Sequence, residues 1–165
     1  MNRIPLTFDT VGGRVGEEIA VSDWFTVTQK QVDRFADATL DPDWIHVDPA
    51  RAAREGPFGQ AVAHGFLTLS MLSHFAHDAE LWPTGTAYGV NYGFDKARFI
   101  APVPVGARIR AHFMLKDFSR RGDGAYCMTT TVTVEIEGAE KPALAAEWLA
   151  LFYPAEPASA DAALS

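Results

Sequence analysis

The chain has 165 residues, which is the size of one ordinary domain with a single hydrophobic core and excludes a multidomain enzyme. Hydrophobic residues make up 48% and charged residues 21% of the sequence, a composition that excludes an intrinsically disordered protein. The net charge of -7 repels a phosphate backbone, so we expect no nucleic-acid partner.

The cysteine content and the two ends of the chain set further expectations. Cys127 is the single cysteine, so neither an intrachain disulfide nor a thiolate zinc site can form, and a reducing, cytoplasmic location is expected. The amino terminus lacks the apolar segment of a signal peptide, and no run approaches the roughly 18 apolar residues that span a bilayer. We therefore expect no membrane partner. One domain is predicted over residues 1–153, followed by a flexible tail over residues 154–165 that is rich in Ala, Ser and Pro.

The first half of the chain carries helical signals separated by prolines. Thr28 followed by Gln31 forms a capping-box pattern, which together with helically spaced apolar residues predicts a helix over residues 29–38. After a proline break, residues 45–47 are predicted to be a short extended piece. A further Asp-Pro pair predicts a short helix over residues 49–56.

The next predicted helix runs from about Gly65 to His77 and differs from an ordinary surface helix. Its apolar residues cover most of its circumference instead of one stripe. They are Phe66, Leu67, Leu69, Met71, Leu72 and Phe75. We expect such a helix to be enclosed on several sides.

The second half of the chain is rich in strand patterns. Alternation of apolar and polar residues predicts long strands over residues 107–118 and 126–136, joined as a hairpin, and a third over residues 143–153. Shorter strands are predicted over residues 87–91 and 97–100. A long sheet and an apolar helix are both satisfied when the sheet curls around the helix, which predicts an α+β fold with one wrapped antiparallel sheet.

The loop between the first two predicted helices contains a carboxylate and an imidazole, Asp41 and His46, five positions apart. Nearby hydrophobic side chains favour a loop that tucks under apolar cover, where both groups suit proton transfer near neutral pH. The alternative is structural: Asp41 caps the turn at Pro42 and His46 is an ordinary loop histidine.

A second candidate lies at the start of the apolar helix. The first N-H groups of a helix are unpaired, so the Gly65 amide could hydrogen-bond a carbonyl oxygen that gains negative charge during a reaction. The alternative is a plain helix start in which Gly65 allows tight packing and Ser70 bonds back to a main-chain carbonyl.

Together these motifs resemble a known family. The Asp41 to His46 spacing, the following Val47-Asp48-Pro49-Ala50-Arg51-Ala52 and the later Ala63-His64-Gly65-Phe66-Leu67-Thr68-Leu69-Ser70 are similar to MaoC-like dehydratases and (R)-specific enoyl-CoA hydratases of the hotdog superfamily. The downstream Asn91-Tyr92-Gly93, Arg98-Phe99 and Pro102-Val103-Pro104-Val105-Gly106 resemble the branch that includes nodulation protein N. One departure is that Asp43 and Trp44 replace the Asn and Pro of the commonest family pattern.

The resemblance implies a hotdog fold, a curved antiparallel sheet around one long central helix, and a homodimer or higher homo-oligomer. It also implies a cytoplasmic lyase of fatty acid metabolism that hydrates an enoyl thioester, on coenzyme A or an acyl carrier, to the (R)-3-hydroxyacyl product. The family's catalytic pair falls on Asp41 and His46, its oxyanion amide on Gly65 and a supporting polar residue on Ser70. No metal and no cofactor are expected, because coenzyme A is part of the substrate.

Two other functions stay open at this point. A hotdog acyl thioesterase uses a lone carboxylate and water, and the paired His46 argues against it. A non-catalytic subunit that binds acyl-CoA is the second alternative, and the presence of Asp41, His46 and Gly65 argues against that loss of chemistry.

Overall fold

The computed structural model describes residues 5–155, which form one six-stranded antiparallel sheet, not closed, with helices packed on it. Along the chain the elements are β1 (Glu18–Val21), β2 (Phe25–Thr26), α1 (Gln29–Thr39), α2 (Trp44–Val47), α3 (Pro49–Glu55), α4 (Gly65–Ser70), α5 (Leu72–Asp78), β3 (Thr86–Phe99), β4 (Arg108–Arg120), β5 (Tyr126–Ile136) and β6 (Leu144–Pro154). The strand order is β1-β4-β5-β6-β3, with β2 also paired to β4.

The helix α1 confirms the predicted capping box. The Gln31 N-H donates to the Thr28 hydroxyl at 3.3 Å, and the Gln31 side-chain oxygen accepts from the Thr28 N-H at 2.9 Å. The helix ends at Thr39, and the next residue, Leu40, has a φ of 56° and a ψ of 38°, which place it in the left-handed region. This conformation is strained for a leucine and turns the chain sharply into the next loop.

The prediction of an extended piece at residues 45–47 is wrong. These residues belong to the single helical turn α2, and Asp43 at its N-cap accepts a hydrogen bond from the Ile45 N-H at 3.4 Å. Asp43 is the helix-start signal in the sequence, because an N-cap aspartate accepts a hydrogen bond from an N-H that the first turn leaves unpaired. The short helix after it is confirmed as α3.

The predicted hairpin of long strands is confirmed by β4 and β5, which pair antiparallel, and β6 pairs with β5 as the next strand. The prediction of two short strands at residues 87–91 and 97–100 is wrong. They are parts of the single 14-residue strand β3, which pairs along its length with β6. Three register shifts interrupt this ladder, and such irregularities break the alternating pattern from which strands are predicted.

The core lies between the sheet and the helical run formed by α4 and α5. Phe75 and Leu72 of α5 pack with Phe113 and Leu115 of β4, and all four are at most 1% exposed. The helix is not enclosed on every side, because Phe66 is 66% exposed and packs its ring edge-on against Phe99. The predicted α+β class is confirmed, and the side of α4 that carries Phe66 is open to solvent.

β6 extends to Pro154, one residue into the predicted tail, and residues 156–165 of that tail lie outside the described residues. Cys127 is a free, half-buried thiol, and burial raises its pKa. Within residues 5–155, none of the helices has the length and apolar character needed to cross a membrane.

A charged cluster crosses the outer face of the sheet. Glu135 accepts hydrogen bonds from the Arg110 guanidinium at 2.7 Å and from His112 at 2.9 Å, and the other ring nitrogen of His112 lies 2.9 Å from Glu18. The hydrogen bonds from His112 and Arg110 lower the pKa of the Glu135 carboxyl.

The lowered pKa gives a pH-dependent prediction. A carboxyl whose pKa is lower in the folded state stabilises the fold above its unfolded value of about 4.3, and this stability is lost as the pH falls through the folded value. We expect Glu135→Gln to lower the melting temperature by about 2 °C at pH 7, as for a modest ion pair, and the gap to wild type to close below about pH 4. The control is Glu140→Gln, at an exposed position. Equal melting temperatures at pH 7, or a gap that widens in acid, would contradict the prediction.

Candidate active site

A cavity of about 350 Å³ opens where α4 begins, and the two helices that carry His46 and Gly65, α2 and α4, meet there. His46 of α2 and Gly65 and Thr68 of α4 line it, and the rest of its wall is apolar. The apolar residues are Ile45, Phe58, Val62, Ala63, Phe99, Ile100, Ala101, Pro102, Val103 and Ala143. Such a wall suits an uncharged organic group placed beside a few polar atoms.

The His46 ring is held in one orientation by the main chain. Its Nδ1 lies 2.6 Å from the carbonyl oxygen of Val62. A carbonyl oxygen only accepts hydrogen bonds, so Nδ1 carries the hydrogen and Nε2 of the neutral ring keeps a lone pair that can take a proton. The Gln29 side chain also donates to the carbonyl of His46 at 2.7 Å, which fixes the backbone of α2 against α1.

Asp41 follows the left-handed Leu40, and its environment differs from the expectation of apolar cover. Its side chain is 59% exposed and does not line the cavity. It also does not cap a helix, because Asp43 caps α2 and Asp48 caps α3. Within residues 5–155 no hydrogen bond to the Asp41 carboxylate is formed, so its oxygens are available to water or a ligand.

Gly65 is the first residue of α4, and within the described part of the chain its N-H has no hydrogen-bond acceptor. A Cβ built on Gly65 would lie 3.0 Å from the ring of Phe99, closer than ordinary van der Waals contact. The glycine therefore allows the close packing that the structural alternative required. It also leaves an open amide at the cavity wall, so the two interpretations hold together.

The structure does not bring Ser70 to Asp41. Ser70 is exposed, does not line the cavity, and its hydroxyl donates to the carbonyl of Phe66 at 2.7 Å. This is the back-bonding arrangement expected of a serine within a helix. Thr68, one turn after Gly65 and 4% exposed, lines the cavity instead, and a threonine on an apolar helix face was the only sequence signal for it.

His64 is the residue that sequence reasoning missed. It is 3% exposed, its Nε2 lies 3.0 Å from the main-chain oxygen of Asp41, and its ring stacks on that of His46 at 3.8 Å between centroids. The available signal was its position, directly before Gly65 in an otherwise apolar run. A histidine at this position is buried with its apolar neighbours, and only part of its hydrogen-bonding capacity is satisfied.

These residues form the one group in the described part of the chain that offers three possible metal ligands. Asp41, His46 and His64 each contribute one atom, and these atoms lie within 4.8 Å of one another. Ligands of a tetrahedral zinc are roughly 3.4 Å apart, given bonds of about 2.1 Å, so the group would have to close. The two imidazoles lie 3.8 Å apart between centroids with 31° between their planes, and Nδ1 of His46 and Nε2 of His64 already face main-chain oxygens.

Comparison with known proteins shows the family of the chain. Residues 10–137 match the family described as MaoC like domain. The chain belongs to the MaoC-like dehydratase family. This MaoC-like protein is 48% identical over 144 residues to 3-hydroxyacyl-thioester dehydratase Z of Mycobacterium tuberculosis (strain ATCC 25618 / H37Rv), covering 86% of this chain and 94% of that one. It is 45% identical over 146 residues to Nodulation protein N of Rhizobium meliloti (strain 1021), covering 88% and 91% of the two chains.

A solved structure gives the same family. The (R)-hydratase from A. caviae involved in PHA biosynthesis superposes with a TM-score of 0.62 at 25% identity, covering 82% of this MaoC-like chain and 94% of the hydratase. The predicted resemblance to MaoC-like dehydratases and to nodulation protein N is therefore confirmed, as is the hotdog fold class.

Proposed function

We propose that this MaoC-like protein adds water reversibly across the 2,3 double bond of an enoyl thioester of coenzyme A, giving the (R)-3-hydroxyacyl-CoA. The observation that carries the proposal is the cavity that His46 and Gly65 both line, with the Asp41 carboxylate within 4.8 Å of a ring nitrogen of His46. A dehydratase of hydroxyacyl thioesters at 48% identity and a structurally similar (R)-hydratase support a hydro-lyase.

The Gly65 amide would act on the thioester carbonyl. As water adds at C3, negative charge moves onto the carbonyl oxygen, and a fixed N-H donor without another acceptor stabilises that charge. Because Gly65 has no side chain, the carbonyl can approach its N-H closely. The space that a Cβ would occupy lies against the ring of Phe99. Removing one such donor typically costs about 10²–10³-fold in turnover.

Asp41 and His46 would share one water. The water oxygen bonds to C3 while one of its hydrogens passes to Nε2 of His46, the nitrogen that the Val62 contact leaves with a lone pair. The pair then returns one proton to C2, so the product gains H at C2 and OH at C3 and the site is regenerated. Asp41 orients the water and balances the charge that develops on the imidazolium.

The chemistry needs no metal and no cofactor in this proposal, because the amide stabilises the charge and the pair moves the proton. Coenzyme A enters as part of the substrate, and a reducing, cytoplasmic compartment is proposed on the single unpaired Cys127. Prolonged dialysis against EDTA is therefore expected to leave turnover unchanged. A loss that added Zn²⁺ or Mg²⁺ restores would contradict this part of the proposal.

A homodimer is also part of the proposal. β3 ends the sheet, and its outer edge is unpaired within residues 5–155, yet it exposes Tyr88, Val90, Tyr92 and Phe94. A long apolar edge strand is covered most simply by its own copy across a two-fold axis. Light scattering after size exclusion is expected to give twice the chain mass, and Val90→Lys to shift it toward one chain mass. Met114→Lys, at a similarly exposed position on β4, is the matched control.

Product analysis distinguishes this function from its alternatives. After incubation with crotonyl-CoA, mass spectrometry is expected to find crotonyl-CoA plus one water, with the thioester intact and the (R) configuration on chiral analysis. Release of free thiol would identify a thioesterase instead. An unchanged substrate that raises the protein's melting temperature would identify a binding subunit.

A further inference from the structure

His64 contacts both members of the proposed catalytic pair but has no part in the chemistry assigned above. It is the N-cap residue of α4, and its side chain makes no capping hydrogen bond. Its Nε2 lies 3.0 Å from the main-chain oxygen of Asp41 and 4.0 Å from the carboxylate of the same residue. Its ring lies 3.8 Å from that of His46. No other histidine of the described chain lies beside both residues.

The hydrogen bonds determine which tautomer His64 adopts. The main-chain oxygen of Asp41 can only accept, so Nε2 of His64 carries the hydrogen. Nδ1 is buried and has no hydrogen-bond partner in the described structure. A second proton at Nδ1 would therefore be a buried donor without an acceptor, which is costly. The ring is neutral in this arrangement, and its free nitrogen is closed to water and substrate.

Two aromatic rings pack against the His64 ring. The centroid of the His46 ring lies 3.8 Å from that of His64, and the centroid of the Phe35 ring, in α1, lies 5.2 Å from that of His64. The His46 ring is at the same time tied to Val62 through Nδ1.

We propose that His64 is a positioning residue, which sets the separation of Asp41 and His46 by donating to the Asp41 main chain and stacking on the His46 ring. It stays neutral and exchanges no proton with substrate. The inference rests on the proposed function for what the pair does, while the arrangement of the three residues stands on the contacts alone. A displacement of about 1 Å in a catalytic group can cost about 10²-fold in rate.

Two substitutions separate the two contacts. His64→Phe keeps a stacking ring and removes the donor, and His64→Gln keeps a donor that reaches the position of Nε2. We expect His64→Phe to lower kcat for crotonyl-CoA by about 10²-fold with KM within threefold, and His64→Gln to recover at least tenfold of that loss. The pH profile of kcat should keep its wild-type form in both variants. If His64→Phe does not fold, His64→Asn, whose amide is too short to reach Asp41, takes its place.

Three results would overturn the proposal: a His64→Phe variant within threefold of wild type, a His64→Gln variant no better than His64→Phe, or a pH profile that loses one limb in both. A second readout does not depend on turnover. Long-range ¹H–¹⁵N spectra at pH 7.5 are expected to show hydrogen on Nε2 of His64 and on Nδ1 of His46, and the opposite tautomer at His64 would overturn the arrangement. An inactive wild type with these two tautomers would reject the proposed hydratase function while leaving the His64 contacts intact.

Discussion

Asp41→Asn and His46→Asn are each expected to lower kcat/KM for hydration of crotonyl-CoA by about 10²–10⁴-fold, the range for loss of general acid-base catalysis. Asp41→Asn keeps the shape of the side chain and removes its charge. His46→Asn keeps a donor where Nδ1 meets the Val62 carbonyl and removes the Nε2 base. Steady-state kinetics beside a melting curve test both, and neither variant should lose the fold, since Asp41 is exposed and His46 is half-buried.

The control for this pair is Asp43→Asn. Asp43 lies two residues from Asp41 and caps α2, and asparagine caps a helix as well as aspartate does. Its turnover should stay close to wild type. Because Asp41 and His46 act on one water, the double variant Asp41→Asn with His46→Asn should fall little below the worse single variant. Near-full activity in either single variant would reject the assignment.

The second large effect is expected at Gly65, where two substitutions differ by one hydrogen-bond donor. Gly65 is the first residue of α4, a position that accepts proline, and the backbone of His64 before it, at φ -59° and ψ 139°, accepts a following proline. Gly65→Ala and Gly65→Pro both place a Cβ against the exposed Phe99 ring. Only the proline removes the N-H.

We therefore expect Gly65→Pro to turn over about 10²–10³-fold more slowly than Gly65→Ala, the loss that follows removal of one oxyanion donor. Gly65→Ala should show a smaller loss, because the Cβ crowds the approach of the carbonyl. Comparing kcat of the two variants, with melting temperatures to show that both fold, tests the loss of the donor together with the proline ring that replaces its hydrogen. Equal rates in the two variants would mean that the Gly65 N-H does not bind the reacting carbonyl.

The elements that depend on local pattern could be predicted from the sequence. The capping box of α1 and the hairpin of β4 and β5 follow from neighbouring residues, so the sequence contains their whole cause. The strand β3 could not be predicted as one element, because its length is set by pairing with β6 across three register shifts. α2 is too short for a periodic pattern, so its one signal in the sequence is the N-cap at Asp43.

Only the part of the site that lies in local sequence motifs could be predicted. Asp41, His46 and Gly65 form ordered motifs, and the fold brings all three to one end of α4. The sequence predicts Ser70 in the site and does not predict His64. The reason is that a helix turns its side chains through 100° per residue, and only the packed structure decides which of them face inward. Ser70 bonds to its own helix, whereas His64, at the helix start, is buried beside the pair.

The most direct test of the account is the loss of enoyl thioester absorbance with a panel from crotonyl-CoA through octenoyl-CoA, for wild type beside Asp41→Asn. The account predicts turnover by wild type on at least one member and its collapse in the variant, and the pattern across the panel then gives the acyl chain length that the cavity accepts. Turnover that persists in Asp41→Asn, or no change in absorbance across the whole panel with wild type, would contradict the proposal that Asp41 and His46 hydrate an enoyl-CoA.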